Sequence, residues 1–407
     1  MPVLLQINVA SNWGSTGRIA EQCCEYAERD GWKCYVIYGR YSNPSNVKAF
    51  KFCSKFSMYE HYVEHKLLDN EGLASRLSTR KLVKKIKEIK PDIIHLHNIH
   101  DHWLNYKILF EYLNSTNIKI IWTFHDFWAI TGHCTHFIYK ECNQWRERCF
   151  DCPFAGKWIP LIKNTERNFE LKQRLFLANS NLHIVCVSDW VGENVKKSFL
   201  KVKDIRVINN GIDLSIFKPT VGFLHQGIWK GKFVIMAVSS QWKGGSKGID
   251  DYKAMSHFLK EDELIVLVGV PEDIISGLPK NIIGIRRTNN QQELAALYTR
   301  ADVVVSFSIA ETFGLTIVEG YACGTPAVVY DNTAPPALIT PETGCVVPNR
   351  DYKAAYVAIQ KIRKRGKKSF SDACIKLAEE KYDKDICFNK YLKLYNNLLN
   401  KKTQKSI

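Results

Sequence analysis

The chain has 407 residues, 45% hydrophobic and 24% charged, the balance of a globular protein in water with enough length for two cores. Its 57 lysines and arginines outweigh 41 acids, and the resulting +16 charge points to an anionic partner: nucleic acid, a membrane surface or a phosphorylated ligand. No run approaches the roughly 18 apolar residues that span a bilayer, and "MPVLLQINVASNWG" lacks both a basic leader and a cleavage site, so it reads as the first strand of a cytoplasmic protein.

In chain order, "VLLQINVA" is a short apolar run, the mark of a buried strand. "GSTGRIAEQCCEYAERDG" follows as a Gly-rich turn and a helix ending at Gly31, and "KCYVIYG" is the next strand. "LVKKIKEIKPDIIHLHN" reads as a helix, a proline stop and a strand ending in polar residues. On that helix Leu82, Val83, Ile86 and Ile89 share a face and lysines take most of the rest. "LFEYLNSTNIKIIWTFHD" repeats the pattern, and "NLHIVCVSDWVGENVKKSFL" adds another strand and helix. Asn-Gly and Lys-Pro turn signals interrupt the alternation around residues 206 to 222. It restarts with "KFVIMAVSSQW", "ELIVLVG", "NIIGIRR", "DVVVSFS" and "TPAVVY" as strands, separated by helices.

Such alternation predicts an α/β chain with two doubly wound parallel sheets, over residues 1–212 and 213–383. A last helix, 384–407, is expected to pack back on the first domain. Ligands of such folds bind beyond the carboxyl ends of the strands.

Four of the 13 cysteines are clustered, in "GHCTHFIYKECNQWRERCFDCP": Cys134, Cys142, Cys149 and Cys152, in a loop over 133–153. In a reducing compartment such clustering favours a metal, and four thiolates can close a tetrahedral zinc site. An iron–sulfur cluster, labile disulfides and unligated thiols remain the alternatives. The scattered cysteines read as small core residues. The histidines of "HLHNIHDH" suggest metal by composition, but their place at a strand end favours lining a cleft.

The stretch "DVVVSFSIAETFGLTIVEG" reads as strand, loop and helix, with the helix starting near Gly314. The free N–H groups of its first turn form an anion site, and Gly314 leaves the backbone open to a phosphate. Glu311 sits before the helix and Glu319 inside it, so the anion is flanked by two acceptors for hydroxyl groups. Sugar, diphosphate and ribose in that order describe a nucleotide sugar.

These residues resemble the E-x7-E motif of the retaining glycosyltransferases of family 4, which have the GT-B architecture of two Rossmann-like domains facing across a cleft. "VINNGIDLSIFKP" is similar to that family's lead into the second domain, and "SSQWKGGSKGIDD" to its donor-phosphate loop, with Lys247 in the Lys-Gly position. "PDIIHLHNIHDHWLN" and "TFHDFWAITGHC" resemble a branch found in bacterial capsule and exopolysaccharide gene sets. The resemblance implies that Glu311 contacts the transferred sugar and Glu319 the ribose. It implies that the amides of Phe313, Gly314 and Leu315 hold the diphosphate, and that Lys247 neutralises the leaving phosphate. His125 then faces the donor sugar, Gly14, Gly17 and Arg18 approach the donor phosphate, and His97, Asn98 and Asp126 lie on the acceptor side. One departure stands out: Trp242 occupies the place of the family's usual arginine, so Lys243 or Arg18 is expected to supply the charge.

The resemblance therefore implies sugar transfer from a UDP- or GDP-sugar to a saccharide, free or lipid-linked, in surface polysaccharide synthesis. No cofactor is needed for that catalysis. The basic stretches "RKLVKKIKEIK" and "KIRKRGKK" read as solvated helix faces or as contacts for an anionic membrane on its inner, cytoplasmic side. A nucleic-acid partner is not expected, since no module motif for one is present. "GSTGR" is not G-x-G-x-x-G and no acid ends the second strand, which argues against a dinucleotide oxidoreductase. A GT-B sugar-nucleotide epimerase and a non-catalytic sugar-binding relative are the remaining alternatives.

Overall fold

A computed structural model describes residues 1–150, 152–153, 162–220 and 229–404, with side chains to residue 400. Asp151, inside the cysteine-rich loop, lies outside the described residues. The chain divides into two compact units, Met1–Ile208 with Phe388–Ile407, and Asn209–Cys387.

The first unit is built on seven strands: β1 (Val3–Ser11), β2 (Lys33–Ser42), β3 (Lys48–Lys51), β4 (Ile93–Leu96), β5 (Lys119–Phe124), β6 (Leu182–Cys186) and β7 (Asp204–Val207). They lie in the order β3-β2-β1-β4-β5-β6-β7, all parallel. The second unit has β8 (Phe233–Val238), β9 (Glu263–Val268), β10 (Ile282–Ile285), β11 (Val303–Ser306), β12 (Ala327–Tyr330) and β13 (Gly344–Val347). Their order is β10-β9-β8-β11-β12-β13, again all parallel. Both sheets are Rossmann-like and wind outward in both directions from one inner pair, β1 with β4 and β8 with β11.

The strand sequences explain the layering. Every residue of β4, β9 and β12 is buried, as expected for strands covered on both faces. The edge strands β3 and β7 have no buried residue, and β3, with two exposed lysines around two half-buried residues, is too short and too polar to read as a strand from sequence.

The helix Lys384–Gln404 closes the first core. Its Phe388, Tyr391, Leu394, Tyr395 and Leu398 pack with Leu4 of β1, with Cys23 and Tyr26 of the helix Gly14–Arg29, and with Trp32. Residues made late therefore cover a strand made early. Replacing Leu394, 2% exposed, by alanine is expected to lower unfolding free energy by about 2–5 kcal/mol, the usual cost of emptying a buried leucine site. Urea unfolding reads this directly; an unchanged midpoint would mean that the helix does not cover this core.

Candidate donor and acceptor sites

In the second unit, the residues expected at the donor site gather at the carboxyl ends of β8 and β11, the pair at which the winding reverses. The loop after β8 carries Lys247, and the loop after β11 carries Glu311. The two loops are tied together by the Ile309 amide, which donates to Ser246 O at 3.0 Å. Tyr252 fixes them from beneath: its hydroxyl donates to Val305 O at 2.8 Å and accepts from the Phe307 amide at 3.1 Å. Gly248 crosses so close to this strand end that a Cβ would lie 2.5 Å from Phe307 O.

On this frame Lys247 donates to Glu311 Oε1 and, at 3.3 Å, to Ser308 Oγ. Glu311 is half-buried, and its amide donates to Thr333 Oγ1 at 3.1 Å. The helix Leu315–Ala322 begins just beyond, with Gly314 as its N-cap at φ 108°, a left-handed conformation that side chains disfavour. Glu319 accepts from the buried Tyr298 hydroxyl at 3.0 Å, which aims one carboxylate oxygen and stiffens the side chain. Neither glutamate lies in the first turn of the helix, so attraction to its dipole does not account for their placing. Phe313 is 3% exposed and packs against Tyr382, so it can offer a ligand its backbone but little of its ring.

Trp242 faces inward. It is 2% exposed, donates from Nε1 to Val268 O at 2.9 Å and meets the Tyr252 ring edge-on. It therefore serves the core beneath the loop rather than a phosphate. Lys243, the nearest substitute in sequence, is exposed and paired with Asp273 at 2.7 Å. In this unit the cation that bonds Glu311 is Lys247.

In the first unit, His97, Asn98, His125 and Asp126 line one small pocket at the carboxyl ends of β4 and β5, together with His100 and Trp128. His97 is 1% exposed and stands behind His125. Its Nε2 meets Gln6 Oε1 at 2.8 Å and its Nδ1 meets His125 Nε2 at 3.0 Å. An amide oxygen only accepts, so His97 carries its proton on Nε2 and accepts on Nδ1, and His125 donates from Nε2. His97 is thus a positioning residue for His125. Asp126 is engaged by His100 Nε2 at 2.8 Å and by the Trp128 amide at 2.9 Å. The helix Gly14–Arg29 starts beside β1: Gly14 has φ 65°, Gly17 packs against Ala10 and Asn12, and the exposed Arg18 donates to Gly14 O at 3.1 Å.

Sequence reasoning missed Tyr298, Ser308, Thr333, Gln6 and the His100–Asp126 pair, because each acts through a partner distant in the chain. Among the described residues, one further group gathers in this unit: one ligand atom from each of His65, Glu71 and His133 lies within 4.8 Å of the others.

Comparisons with known proteins bear on the family and the fold. Residues 16–216 match the model of Glycosyltransferase Family 4, and residues 232–364 match that of Glycosyl transferases group 1. A colanic acid biosynthesis glycosyl transferase of Escherichia coli K12, WcaC by name, is 21% identical over 81% of this chain and 84% of its own. A GDP-mannose-dependent phosphatidylinositol dimannoside mannosyltransferase of Mycobacterium tuberculosis H37Ra is 36% identical over 50% of this chain and 54% of its own. The sucrose-phosphate synthase structure from Thermosynechococcus elongatus superposes with a TM-score of 0.72 at 16% identity, covering 98% of this chain and all of that one. The family matches define an enzyme of sugar transfer, and the fold is the GT-B architecture. The chain belongs to the retaining glycosyltransferases of family 4.

The histidines make stability depend on pH. Burial lowers His95 to about 3 and holds His97 well below its ordinary value. Burial also lowers His125 to about 4, aided by His100 and opposed by Asp126. All three are neutral in the fold, whereas the unfolded chain takes up their protons near pH 6.5. Their contribution is full above pH 6.5 and is lost as pH falls toward about 4. His100 has the opposite sign. Burial opposes its charge, but the Asp126 carboxylate prevails and raises it to about 9, so its contribution is full below pH 6.5 and is lost as pH rises through about 9. The urea midpoint is expected to fall between about pH 7 and pH 5, and less steeply in His95→Gln. A flat profile would show that these histidines are not held neutral.

Proposed function

We propose that the enzyme transfers a sugar from a nucleoside-diphosphate sugar, UDP- or GDP-linked, to a lipid-linked saccharide during assembly of a surface polysaccharide. The observation that carries the donor half is the arrangement after β11: Lys247 held against Glu311, ahead of a helix capped by Gly314 and bearing Glu319 on Tyr298. It offers one cation, a helix N-terminus for the diphosphate and two carboxylates for hydroxyl groups. The names of the E. coli and M. tuberculosis relatives, colanic acid biosynthesis and GDP-mannose dependence, support a polysaccharide product and such a donor.

In this reading Lys247 leaves Glu311 to meet the diphosphate, and Glu311 turns to the transferred sugar. As the anomeric C–O bond breaks, its electron pair goes to the leaving phosphate, where Lys247 and the helix N-terminus stabilise the growing charge. The acceptor hydroxyl attacks the same face of the sugar, and its proton passes to the leaving phosphate, which retains the anomeric configuration. His125, neutral and oriented by His97, hydrogen-bonds the sugar and contributes position rather than charge. No cofactor enters these steps.

Calorimetry with UDP- and GDP-sugars tests the donor site. One nucleotide class is expected to bind, and Glu319→Ala to weaken it by about tenfold or more, the loss of a charge-assisted hydrogen-bond pair. Lys247→Ala is expected to lower kcat by about 100-fold with a smaller change in KM. No binding by any nucleotide sugar would sink the donor assignment. Product that forms without any acceptor would instead favour an epimerase.

The acceptor's lipid is supported by the surface of the first unit. Lys81, Lys84 and Lys87 are exposed on the helix Arg76–Ile89. The neighbouring helix Lys55–Leu68 exposes Phe56 at 78% and Tyr59 at 69%, and Ser57 and Ser78 link the two helices. Cations and aromatics on adjoining helices suit an anionic bilayer surface, each nearby lysine contributing about 1 kcal/mol. Among the described residues no helix is long and apolar enough to cross a membrane. Co-sedimentation with anionic vesicles is expected for wild type and to be lost on reversing the charges of Lys84, Lys85 and Lys87. Equal binding by that variant would remove the basic helix from the contact.

A further inference from the structure

Beyond Asp126 the chain runs from Gly132 to Cys152 with only two single helical turns, Ile138–Lys140 and Gln144–Arg146, among its described residues. Its apolar packing is small: Phe137 stacks on Trp145 at 4.5 Å between ring centroids and meets Phe127, just before the segment, at 4.7 Å. Yet this segment is folded onto the unit. The Phe127 amide donates to Thr135 O at 2.9 Å, Thr131 Oγ1 donates to Cys134 O at 2.5 Å, and Trp145 is 1% exposed.

Cys134, Cys142, Cys149 and Cys152 all line one cavity of about 10 Å³, room for a single ion- or water-sized sphere. None of the four is in a disulfide. The Gly132 amide donates to Cys149 Sγ at 3.4 Å, a bond that a thiolate accepts far better than a thiol. The charge beneath the cavity is a second, independent observation. Lys172, from the helix Thr165–Ala178, is 1% exposed. It donates to Trp128 O at 2.8 Å and Thr131 O at 3.0 Å and lies 3.5 Å from the Trp128 ring centroid. Among the described residues no carboxylate lies within ion-pair distance of it; Glu71 and Asp69 act on it from farther away, together with the sulfurs of Cys149 and Cys134. A buried ammonium without a close anion is costly.

We propose that these four cysteines bind one structural zinc ion. A divalent ion with four thiolates carries a net double negative charge, which gives Lys172 the counter-ion it lacks and gives the Gly132 amide a true acceptor. The pair Cys149 and Cys152 supplies a C-x2-C chelate, and Cys134 and Cys142 supply the other two thiolates. The ion staples a segment that has almost no core of its own and so fixes the backbone that continues from His125 and Asp126. This inference does not depend on the identity of donor or acceptor. The neighbouring His65, Glu71 and His133 group is a competing site of harder ligands, and the test separates the two.

Full-length protein, purified in reductant with zinc in the growth medium, is expected to hold one zinc per chain by elemental analysis. Its X-ray absorption fine structure should show a first shell of sulfur alone. Cys134→Ser and Cys149→Ser should reduce zinc to background, while His65→Ala and Glu71→Gln should keep it. If the cysteine variants fail to fold, the absorption spectrum of wild type still decides by its ligand shell. A metal-free wild type, a nitrogen- and oxygen-rich shell, an iron–sulfur chromophore, or zinc kept by Cys149→Ser and lost in His65→Ala would each overturn the proposal.

Discussion

A parallel strand covered on both faces has nowhere to put an unpaired polar group until it ends. That constraint governs both units. The backbone is used up sideways by neighbouring strands, and both faces of β4, β9 and β12 are buried. Polar chemistry is therefore pushed to the carboxyl ends, and most strongly to the inner pair where connections diverge and leave a gap. Lys247 and Glu311 lie at that gap in one sheet; in the other, His97 follows β4 of the inner pair and His125 follows β5, one strand further out.

Where polar side chains do enter the sheet, they enter in bonded chains. His95, within β4, reaches Tyr395 OH at 2.7 Å and Thr123 Oγ1 at 2.8 Å, and Thr123 meets Tyr391 OH at 3.2 Å. Gln6 bridges Tyr395 to His97, which orients His125. The polar end of this network belongs to the helix Lys384–Gln404, so Tyr395, far along the chain, helps through Gln6 to fix the proton position of His97. Satisfied networks of this kind rigidify, and they make the removal of any one member expensive.

The sheets were legible because long apolar runs of strand length, alternating with helical periods, permit few other readings. What escaped the sequence was orientation. β3 alternates too weakly to announce itself, since an edge strand needs only one buried side. Trp242 reads as a lost phosphate contact until the fold turns its ring under the loop. His97 and His125 both follow strands, and nothing local says that the first is enclosed and the second lies in front of it. Glu319 is conspicuous within its motif, but Tyr298, which aims it, comes from a different helix, Gln291–Arg300. Lys172 looks like any lysine on an amphipathic helix; its burial beside the cysteine cavity depends on contacts 41 and 44 residues away in sequence.

The closing of the first core by the last helix has a consequence for synthesis. A ribosome releases residues 1–208 well before Phe388 exists, and through that interval Leu4, Cys23, Tyr26 and Trp32 lack the side chains that complete their surroundings. The second unit is continuous from Asn209 to Cys387 and needs nothing made after it. The usual order, in which domains finish from the N-terminus onward, is therefore inverted here. The earlier unit matures after the later one, and until Phe388 and the residues that follow it have emerged it carries an open apolar face that holdase chaperones are suited to shield.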